Sequence, residues 1–144
     1  MAEEASHDPL SEEISSLFNR VSFRLKDHQF ACLERFELSP IQANALWRMD
    51  PREALSVGTL AERFRSDPSN LAAPLEGLEE RGLVVRRPAA HDRRVRMVRL
   101  TAEGRALRKR LMSCLFNEPP VVAGLSARER RAFRDLLAKL DLEL

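Results

Sequence analysis

The sequence predicts a mainly α-helical protein with a small β-hairpin wing, arranged as a winged helix-turn-helix between N-terminal and C-terminal helices. Apolar residues recur at steps of three and four over most of the chain, which is typical of helices that pack on one face. The pattern changes to the alternation of a strand only between Leu83 and Leu100. Two short helices with N-terminal capping residues precede this change, and that order is typical of a winged helix-turn-helix.

The first helix is predicted from Ser11 onward, after a frayed tail at residues 1–10. Its apolar face comprises Ile14, Leu17, Phe18, Val21, Leu25, His28 and Cys32. A second helix follows, because Ser39 is placed to cap it, Pro40 suits the first helical position and Gln42 completes a capping box.

The next two helices form the predicted DNA-reading pair. Ser56 caps a helix over residues 57–64, and Asp67 caps the helix over residues 68–81, which Gly82 ends. In a helix-turn-helix the first of the two crosses the sugar-phosphate backbone, and the second presents its N-terminal residues to the major groove.

A hairpin is predicted from strands at residues 83–87 and 95–100, with a long loop at 88–94 and a separate extended piece at 54–55. Seven arginines and a single acid, Asp92, lie between Arg81 and Arg99, although the whole chain has a net charge of only +2. Such a local excess is typical of a polyanion contact, and arginines at a loop tip suit a narrow minor groove.

Two further helices complete the chain. Thr101 caps the first, and Ser126 with Glu129 forms a capping box for the last. The apolar face of the last helix comprises Phe133, Leu136, Leu137, Leu140 and Leu144. This is more apolar surface than a lone small domain exposes, which indicates a partner.

Length and composition limit the class of protein. The chain has 144 residues, about one domain, and its longest apolar run is the four residues Phe30–Leu33, far short of the ~20 that span a bilayer. The N-terminal residues are acidic and polar, unlike a secretory signal. We therefore expect a cytoplasmic protein without a membrane partner.

Residue patterns for catalysis or cofactor binding are missing. The glycines are too scattered for a phosphate-binding loop, and the chain has neither a CxxC nor an HExxH motif. We expect no enzyme activity, no cofactor and no metal site. Cys32 and Cys114 are expected to be buried, reduced thiols, since two cysteines in a chain without a secretion signal do not indicate a disulfide framework.

Several motifs together resemble the MarR family of bacterial transcription regulators. The combination of an Asp-x-Arg wing and a following Leu-Thr-x-x-Gly is the most specific part. The resembling stretches are Leu38-Ser39-Pro40-Ile41-Gln42, Leu60-Ala61-Glu62-Arg63-Phe64, Asp67-Pro68-Ser69-Asn70, Leu78-Glu79-Glu80-Arg81-Gly82-Leu83-Val84, Asp92-Arg93-Arg94 and Leu100-Thr101-Ala102-Glu103-Gly104.

The resemblance implies a homodimeric transcriptional regulator, a repressor, that binds a pseudo-palindromic double-stranded DNA operator and is released by a small ligand or another signal. Residues 1–37 would form a tail and a dimerisation helix, residues 38–101 the winged helix-turn-helix, and residues 102–144 the C-terminal dimerisation helices.

The resemblance also implies roles for individual residues. In the recognition helix, Pro68, Ser69 and Asn70 would form the first turn, and Ala72 and Ala73 would face DNA. Arg94 would enter the minor groove, Arg93 would contact the backbone, and Asp92 would orient Arg94 by a charge-assisted hydrogen bond. A crevice that takes a small aromatic ligand in the family would be lined here by Leu17, Phe18, Val21 and Trp47.

Two alternatives remain open at this stage. Pro74 and Gly77 lie inside the recognition helix, where the family more often has good helix formers, so the helix is either kinked toward the groove or unusual in its DNA affinity. This motivates a winged-helix interaction module with weak or no DNA binding. The other alternative is a thiol-based redox-sensing regulator that acts through Cys32, although the chain has no tyrosine near that thiol, unlike the family's peroxide sensors.

Overall fold

The fold of the chain is mainly helical with one small sheet, as predicted. The computed structural model describes residues 8–117 and 119–141. In these ranges the elements are α1 (Pro9–Arg35), α2 (Pro40–Arg48), β1 (Leu55–Ser56), α3 (Val57–Phe64), α4 (Ser69–Glu80), β2 (Val84–Pro88), β3 (Arg96–Leu100), α5 (Ala102–Phe116) and α6 (Ala127–Asp141).

The chain divides into two compact units. Residues 30–117 form the winged unit, which holds the end of α1 and all elements from α2 to α5. The terminal unit comprises the described residues 8–29 and 119–141, with most of α1 and all of α6. The core of the winged unit joins its helices to its sheet through buried aliphatic residues, among them Leu46, Leu60, Leu71, Leu75, Leu78, Val98, Leu100 and Leu111.

The sheet of the winged unit has three antiparallel strands in the order β1-β3-β2. Strands β2 and β3 form the wing, with Val84 opposite Leu100 and Pro88 opposite Arg96. The extended piece after α2 is strand β1, which pairs with β3 through Leu55 and Val98. The wing is therefore anchored at its base on the helix-turn-helix, because β1 leads directly into α3.

Most of the predicted helix signals are confirmed. Ser39 and Gln42 form a capping box at α2, and the Ser56 hydroxyl accepts a hydrogen bond from the Thr59 amide. Gly82 has φ +68°, a left-handed conformation that favours glycine after a helix end.

Two helix starts differ from the predictions. Helix α1 begins at Pro9 because the Asp8 carboxylate accepts a hydrogen bond from the Leu10 amide (3.1 Å) and extends the helix into the expected tail. At α4, Pro68 occupies the cap position without a side-chain cap bond. Asp67 contributes its backbone carbonyl, which accepts from the Asn70 amide at 3.0 Å.

The terminal unit leaves its apolar side chains uncovered. Helix α6 has no buried residue, and its Leu136 is 62% exposed. On α1 the exposed apolar side chains include Leu10, Ile14, Leu17, Phe18 and Phe23. The Ser126–Glu129 capping box predicted for α6 is present, with the Glu129 carboxylate accepting from the Ser126 amide at 2.8 Å.

The expectation of two reduced thiols is wrong. Cys32 near the end of α1 and Cys114 near the end of α5 form a disulfide, with Cα atoms 5.9 Å apart. The two residues are separated by 82 positions, so only the packing of α5 against the end of α1 brings them together. Cys32 is buried, as expected, and Cys114 is half-buried.

No helix in the described ranges combines the length and the apolar content needed to cross a bilayer. Residues 8–117 and 119–141 also contain no group of three histidine, cysteine, aspartate or glutamate side chains placed to hold a metal ion.

Candidate nucleic-acid interface

A cleft lies between the first turn of α3, the exposed face of α4 and the wing. It encloses about 640 Å³. Its cations are Arg86, Arg94 and Arg96, and its one acidic side chain is Glu79. Its other lining residues are Ser56, Val57, Gly58, Pro68, Ala72, Leu75 and Val95. The cleft thus combines small side chains with arginines, an arrangement that admits a charged backbone at close approach.

Helix α4 has one buried and one exposed face. Leu71, Leu75 and Leu78 are fully buried, which fixes the helix on the core. The five residues predicted to face DNA lie on the exposed side, namely Pro68, Ser69, Asn70, Ala72 and Ala73. The structure therefore places the predicted reading residues together on one accessible surface.

Asn70 is held in place by the turn that precedes α4. Its side-chain amide donates to the Ser66 hydroxyl at 2.9 Å. An asparagine amide has two N–H donors and a carbonyl acceptor, so this bond leaves one donor and the acceptor available for a base edge or a phosphate.

Gln42 of α2 contacts α4 at Pro74 and Gly77. The Gln42 side chain donates its amide to the Pro74 carbonyl at 3.4 Å. A Cβ atom at Gly77 would lie 2.9 Å from the same Gln42 nitrogen. A side chain at position 77 would have to displace the end of the Gln42 side chain, and α4 continues as a helix through Pro74 to Glu80.

The wing tip is closed by a local turn. The Asp92 carboxylate accepts a hydrogen bond from the backbone amide of Arg94 at 2.9 Å, and the Asp92 carbonyl accepts from the Val95 amide at 3.0 Å. Asp92 thus shapes the backbone at Arg94, whereas the prediction was a bond to the guanidinium. Arg93 and Arg94 are both exposed at this tip.

Two of the seven arginines in this region bind protein groups. Arg81 donates to the backbone carbonyls of Phe36 (2.9 Å) and Glu37 (2.6 Å) at the end of α1. Arg86 is held by Glu79, as described next. Exposed arginines remain at positions 87, 93, 94, 96 and 99, so a strong positive excess is still available to a polyanion.

Glu79 connects α4 to the wing. Its carboxylate accepts from the Arg86 backbone amide at 2.8 Å and from the Arg86 Nε at 2.7 Å. The backbone bond from Arg86 is the largest cause, and the side-chain bond the second, of a lowering of the Glu79 pKa below its ordinary value. Because both contacts join α4 to β2, they fix the orientation of the wing relative to the recognition helix.

Sequence reasoning missed this contact and the contribution of the first turn of α3. Glu79 lies outside the arginine-rich segment, and its distance of seven residues from Arg86 matches no helix or strand pairing rule. For Ser56 a signal was available, since the residue that caps α3 stands at the open end of a helix, where anions bind well.

The residues predicted to line a ligand crevice lie in both units. Leu17 and Phe18 are exposed and Val21 half-buried in the terminal unit. Trp47 belongs to the winged unit, where its ring packs on Phe116 with centroids 5.6 Å apart. Their shared role in ligand binding stays a prediction.

Comparison with known proteins finds one family model and several solved structures that match the chain. A model of the MarR family matches residues 36–95. YusO from Bacillus subtilis superposes with a TM-score of 0.84 at 23% identity, covering 96% of this chain and 99% of that one. The transcriptional repressor CouR, solved bound to a 23-mer DNA duplex, gives 0.72 at 26% identity, with coverage of 96% and 99%. A variant of E. coli MarR complexed with operator DNA gives 0.67 at 21% identity, with coverage of 93% and 99%.

The family match covers the segment that holds the helix-turn-helix and most of the wing, and the structural matches extend over nearly the whole chain. The order of elements, the wing on β2 and β3 and the exposed recognition helix agree with this assignment. The chain therefore has the winged helix-turn-helix fold of the MarR-family structures that it matches, and its residues 36–95 match the model of that family.

Proposed function

We propose that the chain is a homodimeric, sequence-specific DNA-binding regulator that represses transcription from a pseudo-palindromic operator. The observation that carries the proposal is the cleft between the exposed face of α4 and the wing, with arginines on one side and small residues on the other. In this arrangement α4 enters the major groove, and Arg94 at the wing tip enters the adjacent minor groove. The DNA-bound structures of CouR and of the E. coli MarR variant support the same class of partner.

The exposed side chains at the start of α4 and at the wing tip have distinct roles in this proposal. Ser69 and Asn70 supply donors for phosphates or base edges. Ala72 and Ala73 have small side chains, so that the helix comes close to the base edges and an alanine methyl group contacts thymine. Arg93 binds the sugar-phosphate backbone beside the wing.

The dimer follows from the uncovered apolar side chains of the terminal unit. Leu136 and Leu140 on α6 and Leu17 on α1 are exposed in the single chain. A second copy of the chain covers such surfaces in a symmetric assembly and places two reading helices on one duplex, about one turn or 34–36 Å apart. A small ligand or another signal releases the operator by favouring a different spacing of the two helices.

The decisive experiment is a mobility-shift titration of Arg94→Ala on a duplex selected from a random pool. Loss of the minor-groove contact should weaken binding by about 1–3 kcal/mol. Arg131→Ala is the matched control, because Arg131 is exposed on α6, roughly opposite Leu136 and Leu140, and outside the winged unit. Equal affinity of Arg94→Ala and the wild type would refute the role assigned to the wing.

Salt dependence separates this proposal from the interaction-module alternative. A DNA-binding protein loses affinity steeply as salt is added, because phosphate contacts release counterions. An interaction module would show no duplex binding even at low salt. The alternative rested on Pro74 and Gly77, and α4 continues as a single helix through both residues.

A further inference from the structure

The wing has an inner and an outer face, because successive side chains of a strand point to opposite sides of a sheet. On β3, Val98 and Leu100 are buried in the core, so their side of the sheet is the inner face. Arg86 and Arg96 belong to the same side by register and alternation, and both line the cleft beside α4. The proposed DNA interface therefore uses the inner face and the tip of the wing.

The outer face carries a second group of arginines. Arg99 lies opposite Val85 and Arg87 lies opposite Met97, so the two arginines are diagonal neighbours on adjacent strands. Together with Arg105 of α5 they line a cavity of about 310 Å³. The other residues that line this cavity are Val85, Leu100, Thr101 and Ala102. The outer face thus gathers three guanidinium groups around one cavity that has no carboxylate in its lining.

The arginines of the two faces differ in how their charges are compensated. On the inner face, the Glu79 carboxylate accepts a hydrogen bond from Arg86 Nε at 2.7 Å. On the outer face, neither Arg87 nor Arg99 forms a side-chain hydrogen bond or an ion pair with any residue of the described ranges, and Arg105 donates to the Leu100 carbonyl at 3.2 Å. Like charges on neighbouring strands repel each other, and an anion bound among them offsets this repulsion. The outer face therefore fits a partner with several negative charges.

We propose that the outer face of the wing, defined by Arg87, Arg99 and Arg105, binds the sugar-phosphate backbone of the duplex that flanks each half-site. The inference rests on the proposed function, in which the wing tip enters a minor groove beside the major groove read by α4. In that position the inner face of the wing lies toward the half-site, and the outer face lies toward the flanking base pairs.

Continuity with the wing tip favours DNA as the occupant of this surface. Arg87 is the last residue but one of β2, and the exposed Arg93 and Arg94 follow in the loop that β2 leads into. The positive surface therefore extends from the residues that enter the groove onto the outer face. A phosphate backbone that leaves the groove meets Arg87 first.

The more distant arginines require the flanking duplex to bend. Arg99 lies at the level of Val85, two residues farther from the tip than Arg87, which is roughly 7 Å along the strand. Arg105 lies beyond the end of β3, in the first turns of α5. Phosphates reach these two side chains only when the flank curves toward the wing, and the additional contacts offset the energy of the bend.

Two duplexes that contain the same selected operator test the proposal. The short duplex ends at the base pairs contacted by the wing tips, and the long one continues for about ten base pairs, one helical turn, on either side. The wild type should bind the long duplex more tightly. Each neutralised phosphate adds about 0.9 to the slope of log K against log salt, so two such phosphates should reduce this advantage about tenfold between about 50 and 200 mM salt.

The variant Arg87→Gln/Arg99→Gln assigns the advantage to the outer face. It should bind the short duplex like the wild type and lose most of the preference for the long one. Arg87→Lys/Arg99→Lys should keep the preference, because a phosphate contact requires the charge. Arg128→Gln/Arg131→Gln is the matched control, since it removes the same charge from exposed positions of α6 outside the winged unit and should leave the ratio of the two affinities unchanged.

Energy transfer between dyes at the two ends of the long duplex measures the bend directly. Binding of the wild type should raise the transfer efficiency, and binding of Arg87→Gln/Arg99→Gln should raise it less. Circular dichroism verifies that the variants are folded. If the double glutamine variant fails to fold, Arg87→Gln and Arg99→Gln are measured singly, and each should lose part of the preference for the long duplex.

The outcomes separate this inference from the proposed function. Equal affinity of the wild type for the two duplexes, or a glutamine variant that keeps the full preference for the long duplex, overturns the role of the outer face and leaves the proposed function intact. An acidic protein surface as the occupant would give the first of these results. Absence of binding to either duplex overturns the proposed function as well.

Discussion

At the scale of single residues, the contact between Glu79 and Arg86 determines the role of Arg86. Arg86 belongs to an arginine-rich segment and by composition alone would be assigned to DNA. Its backbone amide and its guanidinium both bind Glu79, so its first task is to position β2 against α4. Arg93 and Arg94 at the wing tip are exposed.

The Glu79 contact predicts a pH dependence of stability. Folding lowers the Glu79 pKa below its ordinary value of 4.5. Its contribution to the free energy of unfolding is therefore complete above the pKa of the unfolded chain and is lost as the pH falls through the lower pKa of the folded state. Between pH 6 and pH 3, denaturant titrations should show the advantage of the wild type over Glu79→Gln shrink by no more than about 1 kcal/mol, since the pair is partly exposed.

The variant Arg86→Met distinguishes the two causes of the lowered pKa. It removes the guanidinium but keeps the backbone amide, which is the larger cause. Arg86→Met should therefore keep part of the pH dependence that Glu79→Gln abolishes. A variant at Arg86 that loses the whole dependence would show that the side chain, rather than the backbone amide, dominates.

At the scale of elements, the junction between the wing and α5 explains the glycine of the Leu-Thr-x-x-Gly motif. The Thr101 hydroxyl accepts from the Gly104 amide at 3.0 Å and donates to the Gly82 carbonyl at 2.6 Å. This places the first turn of α5 directly on the backbone after α4. A Cβ atom at Gly104 would lie only 1.8 Å from the Leu83 carbonyl oxygen.

Gly104→Ala should therefore destabilise the winged unit strongly. The obstructing atom belongs to the backbone and cannot rotate away, so we expect a loss of about 2–3 kcal/mol or more in the free energy of unfolding. Gly124→Ala is the matched control, because a Cβ atom there meets nothing within 4 Å, and it should stay within about 0.5 kcal/mol of the wild type. Similar denaturation midpoints for the two variants would contradict this account.

At the scale of the whole molecule, the two units differ in how they satisfy their apolar residues. The winged unit buries its leucines in its own core, whereas every residue of α6 that the structure describes is exposed or half-buried. A helix with an uncovered apolar stripe gains most of its stability from packing against another surface. The described part of the terminal unit therefore leaves apolar surface for the proposed dimer to cover, while the winged unit has a core of its own.

The double variant Leu136→Asp/Leu140→Asp tests this requirement. Charges on the stripe oppose burial in a dimer but disturb little inside the single chain, because each side chain is more than half exposed. Sedimentation should give the 16.4 kDa of one chain for the variant and twice that mass for the wild type. Arg131→Asp, on the opposite face of α6, should leave the dimer intact, and a variant pair that still sediments as a dimer would refute the role of this stripe.

Features encoded within a few residues could be predicted, and features made by distant segments could not. The capping boxes at Ser39 and Ser126 and the hairpin before Thr101 are local, so the helix order and the wing were predictable. The disulfide joins residues 82 positions apart, and composition alone suggested free thiols. The contact of Gly77 with Gln42 could not be predicted, because Gln42 belongs to another helix.

The contact between Glu79 and Arg86 fixes the distance between the recognition helix and the wing. Inserting one base pair into a half-site, between the bases read by the helix and the groove entered by the loop, shifts one relative to the other by roughly 3.4 Å and a tenth of a turn. Such a spacer change should abolish recognition even when every contacted base is kept. Glu79→Ala removes the contact that fixes this distance, so the variant should tolerate the insertion better than the wild type does.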